Sequence, residues 1–479
     1  MKSVYIVNIP QYDADTVPLG PAILQKVAKD CGYKTYFSDL NLELDVNAKN
    51  QDFKARTIWS STLTGHLPYS TVKYLIKLID NIIDKAILVN SDFVAISFFS
   101  FVSLPYGKLF LKRLQTKKYK GKTIIGGPGI SRNLELAQQW LDNKLTDYYV
   151  TGDGEIAFEK ILCDKLPYPG VNNPNSIAIG DMNSLYFPDF EHFDLDLYPK
   201  MFGQRTLGIE GSRGCVRDCG FCDIKVLFLK YRYKSGQRLF DEIMYNIKQY
   251  GVYVYWFTDS LVNGNQKEFR TMLRLLSEYN KNVDEHKKVK WTGQYIIRPQ
   301  KQYIDEDFQL LVDSGCLTLA TGIESYSEKV RRELGKNFSN DDINWFFHKC
   351  QKYGISLFIL MVVGYPTETH KDFEESLRFF DDFEHLSDDK TISGVQLGNT
   401  MNMIPGTPVW RDRHNLEIEY DYFEAIKHVN SWKNKNSDLK IRVRRRLLAQ
   451  KYAIERGWGT IIRSTAQNLD MFKRWAHDL

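Results

Sequence analysis

Short apolar runs alternate with longer amphipathic ones from the start of the chain: SVYIVNI (Ser3 to Ile9), PAILQKVAKDCG (Pro21 to Gly32), then YKTYFSDL (Tyr33 to Leu40). The first and third have the length and composition of strands. Between them Ile23, Leu24, Val27 and Ala28 recur at helical spacing, and Gly32 stands where a helix would stop. Strand, helix and strand in that order predict a parallel sheet. Residues from about Asp45 to Pro68 are polar with scattered aromatics and predict a loop or lid, after which TVKYLIKLIDNIIDKAIL resumes a helical period. FVAISFF (Phe93 to Phe99) and KTIIGGPG (Lys122 to Gly129) read as buried strands, and YYVTGDGEIAFEKIL adds a strand, turn and helix. The pattern predicts a first domain over residues 1–165.

In open α/β sheets the carboxyl ends of the strands frame the ligand crevice, which makes Ser97, Ser100, Gly126 and Gly127 candidate lining residues. Gly152, Asp153, Gly154 and Glu155, at a strand-to-helix junction, can present backbone N–H groups to a ligand. The same glycines also read simply as tight turns. Residues 166–205, with Pro167, Pro169, Pro174 and Pro188 among Asn and Asp, predict an interdomain connector. Strand candidates then recur with helices between them: TLGIEGSRGC, VYWFTDS, KWTGQYIIRP, LTLATGIES, SLFILMVVGYP and SGVQLGNT. Repeated βα units over 206–404 predict a parallel barrel or part of one, with its active site at the strand carboxyl ends. Thr258, Asp259 and Ser260, Gln294 and Arg298, Gly322 and Glu324, and Gly364 and Tyr365 all fall near such ends. Residues 405–479 are charged and helical in pattern, densest at Lys440, Arg442, Arg444, Arg445 and Arg446. A solvated helix face or domain contact is one reading of that run; an anionic substrate, nucleic acid included, is the sharper one.

Composition narrows the class. With 479 residues, 43% hydrophobic and 14% aromatic, the chain can build two or three packed domains. A formal charge of +5 is too slight to demand a nucleic-acid or membrane partner. The start, MKSVYIVNIPQYDADTVPLG, lacks a basic segment followed by an apolar run, and no stretch approaches roughly 18 uninterrupted apolar residues. A cytoplasmic protein without a transmembrane segment is the expectation. Seven cysteines, an odd count, argue against a secreted disulfide framework and fit a reducing compartment.

Three of those cysteines crowd into GCVRDCGFCD (Gly214 to Asp223), where Cys215, Cys219 and Cys222 have C-x3-C-x2-C spacing. Three thiolates can hold a four-iron four-sulfur cube and leave one iron open, whereas an electron-transfer cluster normally takes four cysteines. Zinc is the competing reading, but a structural zinc site would want a fourth close Cys or His, and none adjoins the motif.

Taken together these motifs resemble the radical SAM superfamily, and within it the branch with an N-terminal cobalamin-binding domain. The resemblance rests on the cysteine motif with Phe221 before Cys222, FTDS (Phe257 to Ser260), TGIES (Thr321 to Ser325), VGYPTET (Val363 to Thr369) and PGTP (Pro405 to Pro408). PLG (Pro18 to Gly20), the GGPG turn and GDGE (Gly152 to Glu155) extend it into the first domain, so that it covers about four-fifths of the chain in the family's order. It implies an α/β fold with an N-terminal Rossmann-like (flavodoxin-like) parallel-sheet domain, a partial (β/α)6 TIM-type barrel and a helical C-terminal domain over 405–479. It also implies that Cys215, Cys219 and Cys222 bind a 4Fe-4S cluster whose open iron is chelated by S-adenosylmethionine (SAM). One reducing electron, from a donor such as flavodoxin or ferredoxin, then cleaves SAM to a 5'-deoxyadenosyl radical.

By the same resemblance Asp259 and Ser260 lie near the SAM amino group, Arg298 and Glu324 contact the rest of SAM, and Phe221 and Gly364 flank it. Ser97, Gly126, Gly127, Gly152 and Glu155 are the corresponding cobalamin candidates. The D-x-H-x-x-G signature of a lower histidine ligand is absent: Asp284-Glu285-His286 and Asp412-Arg413-His414 lack the glycine. The radical SAM branch commonly binds cobalamin without that histidine. Methylthiotransferases share the architecture but need a second cysteine cluster in the first domain, which offers only Cys31 and Cys163. The implied function is a cobalamin-dependent methyltransferase acting on carbon or phosphorus of a small molecule or natural-product intermediate. Cyclisation, rearrangement or oxidation by the same radical is one alternative, and a non-catalytic iron-sulfur protein that binds nucleic acid is another.

Overall fold

A computed structural model describes residues 2–10, 16–49, 69–100, 102–420, 431–458 and 462–463. Its first sheet has strands β1 (Ser3–Asn8), β2 (Lys34–Asp39), β3 (Phe93–Ser97), β4 (Lys122–Gly126) and β5 (Tyr148–Tyr149) in the order β2-β1-β3-β4-β5. All four pairings are parallel, the doubly wound order of a flavodoxin-like domain. Every residue of β1 is buried. Alternation sends Tyr5 and Val7 into one core and Val4 and Ile6 into the other, which is why the strand reads as a continuous apolar run. Helices α1 (Leu19–Asp30), α2 (Leu40–Lys49), α3 (Tyr69–Leu88), α4 (Ser103–Thr116), α5 (Leu134–Asp142) and α6 (Gly154–Leu162) complete this region.

Two expectations change here. The predicted loop from Asp45 begins inside α2, and the remainder of it, residues 50–68, lies outside the described residues. The helix starts because Asp39 Oδ1 accepts the amides of Asn41 and Leu42 at 3.0 and 3.1 Å, an N-cap that the alternating L-x-L-x-L pattern conceals. The proline-rich stretch is no bare connector either: Gln25 donates to Asp189 O at 2.8 Å, Tyr198 donates to Asp39 at 2.8 Å, and Phe193 stacks on Phe37 at 3.9 Å. Contacts group residues 1–209 with 242–254 as one unit, and 210–241 with 255–479 as the other.

The second sheet contains β6 (Thr206–Ile209), β9 (Val254–Phe257), β10 (Lys290–Gln294), β11 (Cys316–Glu324), β12 (Ser356–Val363), β13 (Ile392–Thr400) and β14 (Ile462–Arg463), ordered β14-β13-β12-β11-β10-β9-β6. The short strands β7 (Ser212–Arg213) and β8 (Arg232–Tyr233) pair antiparallel beside it. The six strands anticipated for a partial barrel are present; β14, parallel to β13, is a seventh that the helical pattern of the C-terminus did not announce. Helices α7 (Gly236–Tyr250), α8 (Gln266–Lys281), α9 (Asp307–Asp313), α10 (Asn340–Tyr353) and α11 (His370–Asp382) fall between the strands, and α12 (Leu439–Glu455) follows β13. Along β12 buried and half-buried residues alternate: Leu357, Ile359, Met361 and Val363 face one side. No described helix is long and apolar enough to cross a membrane.

The start of α11 is set by side chains. Thr369 and Asp372 form a reciprocal capping box at the start of α11, with Lys329 2.9 Å from Asp372. Burial raises the Asp372 carboxyl, but the Thr369 hydroxyl and amide together with Lys329 outweigh it and hold the group at about 2. Because the folded value lies below the unfolded one, its contribution is complete above the ordinary aspartate range and disappears as pH falls through about 2. Thermal melts from pH 5 to pH 2 should therefore show wild type losing on the order of 2 kcal/mol relative to Asp372→Asn. Parallel pH curves for the two proteins would rule that linkage out.

The basic run is the other departure. Arg442, Arg445 and Arg446 are buried in α12, and only Lys440 and Arg444 of that run are exposed. Arg446 donates to Leu397 O at 3.1 Å, supplying a donor to the backbone of β13. The stretch is thus mainly an internal packing element, not a solvated face.

Candidate active site

The three cysteines lie on the loop between β7 and a short helix, Ile224–Leu227, and all are half-buried and free of disulfides. Gly214 opens the loop at φ 89, where a Cβ would stand 2.8 Å from Lys230 O, so a side chain is excluded on both counts. The loop is held by backbone: Gly220 N donates to Leu334 O at 3.0 Å, Gly220 O accepts Val409 N at 2.9 Å, and Cys222 N donates to Cys219 O at 3.0 Å. Arg217 N points at Cys215 Sγ, 3.3 Å away. Burial pushes the Cys219 thiol up, with Lys336 opposing, and pushes Cys222 up to about 12, with the Ile224 amide opposing. Metal binding would have to supply the charge that deprotonates them.

The donor set fits a cluster. A closed zinc site needs four donors around one ion, and this loop brings three thiolates. A cube takes each thiolate on a different iron.

Beside this loop stands a pair that sequence reasoning half found. The pairing of β11 with β12 shifts register between Gly322 and Glu324, and Glu324 adopts φ 61, a left-handed backbone unusual for a non-glycine residue. The kink turns its carboxylate back over the strand, where Oε1 meets Lys336 Nζ at 2.8 Å, and Lys336 also donates to Gly322 O at 2.7 Å. A Cβ on Gly322 would lie 2.1 Å from Glu324 Oε1, which explains the glycine in TGIES. The Lys336 side chain is 15% exposed. Burial lowers the pKa of its ammonium, but the Glu324 carboxylate leads the neighbouring groups that more than offset this. Sequence reading named Glu324 and missed Lys336. The available signal was Gly335, whose φ of 87 lets residues 334–336 pack on Asp218 O and Cys219 Cα.

Other candidates are occupied by the scaffold. Asp259 is 4% exposed, and its carboxylate accepts Gly211 N at 2.8 Å and Ser212 Oγ at 2.5 Å, tying the end of β9 to the strand that precedes the cysteines. Burial pushes that carboxyl up to about 7, against the pull of Ser212 and Gly211. Ser260, next to it, is half-buried. Arg298 donates to Asn263 O at 2.7 Å and Gly264 O at 3.2 Å, closing the loop after β9, and burial lowers its pKa. Phe221 packs with Val330, Leu334, Tyr365 and Met403. Gly364 ends β12 at φ 86. The structure thus gathers Cys215, Cys219, Lys336 and Glu324, while Asp259 and Arg298 brace loops.

In the first unit, Ser97, Gly126 and Gly127 do meet at the carboxyl ends of β3 and β4. Gly127 has φ 102 and a Cβ there would lie 2.5 Å from Phe98 O; Gly129 N donates to that same oxygen at 2.9 Å. Gly152, at φ 69, donates to Ser131 Oγ at 3.1 Å, and Glu155 is buried in the first turn of α6. Ser100 Oγ and Ser103 Oγ are enclosed without a hydrogen-bond partner, the kind of orphan that a bound polar group satisfies. Cys31 and Cys163 lie 3.6 Å apart at the ends of α1 and α6, a pair and not a cluster set.

Known proteins resemble this chain in sequence over its second half and in fold over most of its length. The family described as the Radical SAM superfamily matches residues 209–380. The chain is 23% identical over 273 residues to an uncharacterized methyltransferase of Pyrococcus horikoshii, covering 53% of this chain and 57% of that one. It thus spans little more than half the length of that relative. Among solved structures it superposes on the radical S-adenosylmethionine methyltransferase TsrM from Kitasatospora setae, with bound tryptophan and a SAM analogue. The TM-score is 0.59 at 14% identity, covering 88% of this chain and 79% of that one. The cobalamin-dependent S-adenosylmethionine radical enzyme OxsB, with aqua-cobalamin and SAM bound, also gives 0.59 at 14% identity, covering 100% of this chain and 61% of that one.

Proposed function

We propose that the chain, which matches the radical SAM family over residues 209–380, is a cobalamin-dependent methyltransferase acting on a small molecule. When bound at Cys215, Cys219 and Cys222, a 4Fe-4S cluster supplies the electron that cleaves SAM reductively to a 5'-deoxyadenosyl radical. The observation that carries the reading is the clamped three-cysteine loop with the Glu324–Lys336 pair beside it. Lys336 would offer a fixed cation to the SAM carboxylate and Glu324 an acceptor to its amino group. Asp259, with Ser260 beside it, and Arg298 would support SAM, Asp259 by its bonds to Gly211 and Ser212 and Arg298 by bracing the loop after β9. Phe221 and Gly364 shape the adjoining wall.

Ser97, Gly126, Gly127, Gly152 and Glu155 would hold cobalamin at the end of the first sheet, where the close turns and enclosed serine hydroxyls fit a polar ligand. Cobalamin would supply methyl transfer to carbon or phosphorus. A one-electron donor of the flavodoxin or ferredoxin kind and a small-molecule substrate are the partners this chemistry requires. Radical cyclisation, rearrangement or oxidation without methyl transfer is the second reading, favoured if cobalamin does not bind. The nucleic-acid alternative loses its premise with the burial of Arg442, Arg445 and Arg446.

Anaerobic reconstitution with iron and sulfide, followed by SAM and a strong reductant, should yield 5'-deoxyadenosine. A chain that loads a cluster and yields none is not a radical enzyme. Titration with hydroxocobalamin should shift the visible spectrum in a saturable way; an unchanged spectrum removes methyl transfer through cobalamin and leaves the radical step standing.

A further inference from the structure

The arginines of α12 bury charge for a reason that can be followed atom by atom. Arg445 Nη1 lies 2.9 Å from Glu368 Oε1 and 3.0 Å from Glu368 O. Glu368 is 2% exposed, and both of its carboxylate oxygens accept the Gly364 amide, at 3.2 and 3.3 Å. Its own amide donates to Tyr365 O at 2.9 Å, so one residue closes the turn that follows β12 from both directions. Arg442 backs the same turn: its methylenes fill the space beside Gly364, where a Cβ would come within 2.4 Å of Arg442 Cγ. Stacking of the guanidinium on Trp432 at 3.8 Å, and a hydrogen bond to Trp432 O at 2.8 Å, hold it there.

The turn in turn leans on the cysteine loop. Tyr365 donates its hydroxyl to Glu333 O at 3.2 Å, and a Cβ on Gly220, between Cys219 and Cys222, would stand 2.7 Å from that hydroxyl oxygen. Helix, ion pair, turn, phenol and cysteine loop are therefore in continuous contact. Removing a guanidinium from water is unfavourable unless its partner is well placed, and here the partner is the residue that shapes the turn.

Resting on the function proposed for the cysteine loop, we propose that Arg445 is a positioning residue for SAM. Through Glu368 it holds the Gly364–Tyr365 turn, and through Tyr365 on Gly220 that turn holds the cysteine loop. The C-terminal helix is thereby part of the machinery that sets cofactor geometry, although it supplies neither a cluster ligand nor a motif residue.

The test uses the full chain and two readouts. In the cofactor-free protein, amide hydrogen exchange at residues 364–368 and 219–222 should be faster in Arg445→Met than in wild type, by about tenfold or more. In the cluster-loaded protein, SAM affinity should fall about tenfold with iron content retained. Arg445→Lys should recover part of both effects, and Arg445→Met/Glu368→Gln should be no worse than Arg445→Met alone. Ala449→Gly, buried in the same helix, loosens α12 without touching the turn. Equal changes in Ala449→Gly at matched thermal stability would overturn the proposal, as would unchanged exchange in Arg445→Met. A wild-type chain that loads a cluster but does not bind SAM would strike the proposed function instead, and the exchange pattern would then decide this coupling by itself.

Discussion

Cys222→Ala should leave the chain folded and abolish 5'-deoxyadenosine formation. Cys222 is half-buried, its amide is already paired with Cys219 O, and that backbone bond survives the substitution. The loss of one half-buried sulfur should change stability by under about 1 kcal/mol. The chemical effect is of another order. With three thiolates a cube has one open iron; with two it has a second, exposed to water and to loss. Iron and sulfide per chain should fall well below wild type, and product formation should drop by at least about a thousandfold, toward the uncatalysed background. Cys163→Ala, an exposed cysteine in the first unit, should retain both iron and product. Wild-type product from Cys222→Ala would sink the assignment of the cysteine loop.

What could be read from the chain, and what could not, divides along a physical line. β1 and β12 were legible because strand burial depends on local pattern, and the flavodoxin-like order followed from alternating strand and helix. The cysteine spacing was legible because residues three and four apart lie on one loop whatever they bind. Asp259 and Arg298 were found at strand ends as expected, yet sequence does not say which way a side chain turns. Asp259 turns to Gly211 and Ser212, and Arg298 to the carbonyls of Asn263 and Gly264. Lys336 was invisible for the complementary reason: its importance comes from Glu324, twelve residues earlier and across a register shift. Charge density misled most at α12. A run of arginines looks solvated until its partners, Glu368, Trp432 and Leu397, are known, and those are tertiary facts.

The second large effect is expected of Lys336→Met, because the substitution separates stability from cofactor binding. Glu324 is 6% exposed and sits on a left-handed backbone that its pairing with Lys336 helps to hold. Removing one partner of such a pair leaves an uncompensated buried charge, which costs about 3–5 kcal/mol unless the carboxyl takes up a proton. For a unit of this size that is a fall in melting temperature of roughly 10 °C. Lys336→Met/Glu324→Gln removes both charges, and replacing a whole pair is near neutral, so most of the lost stability should return. SAM affinity should not return with it. If Lys336 and Glu324 are the partners of the methionyl carboxylate and amino group, the double variant has a sound fold and no charges to offer, and calorimetry on the cluster-loaded protein should show binding weakened by about a hundredfold. If they serve only to brace β11 against the loop after it, affinity will follow stability, lost in the single variant and regained in the double. The two outcomes differ in sign of recovery, so a pair of melts and a pair of titrations separate a cofactor contact from a structural clasp.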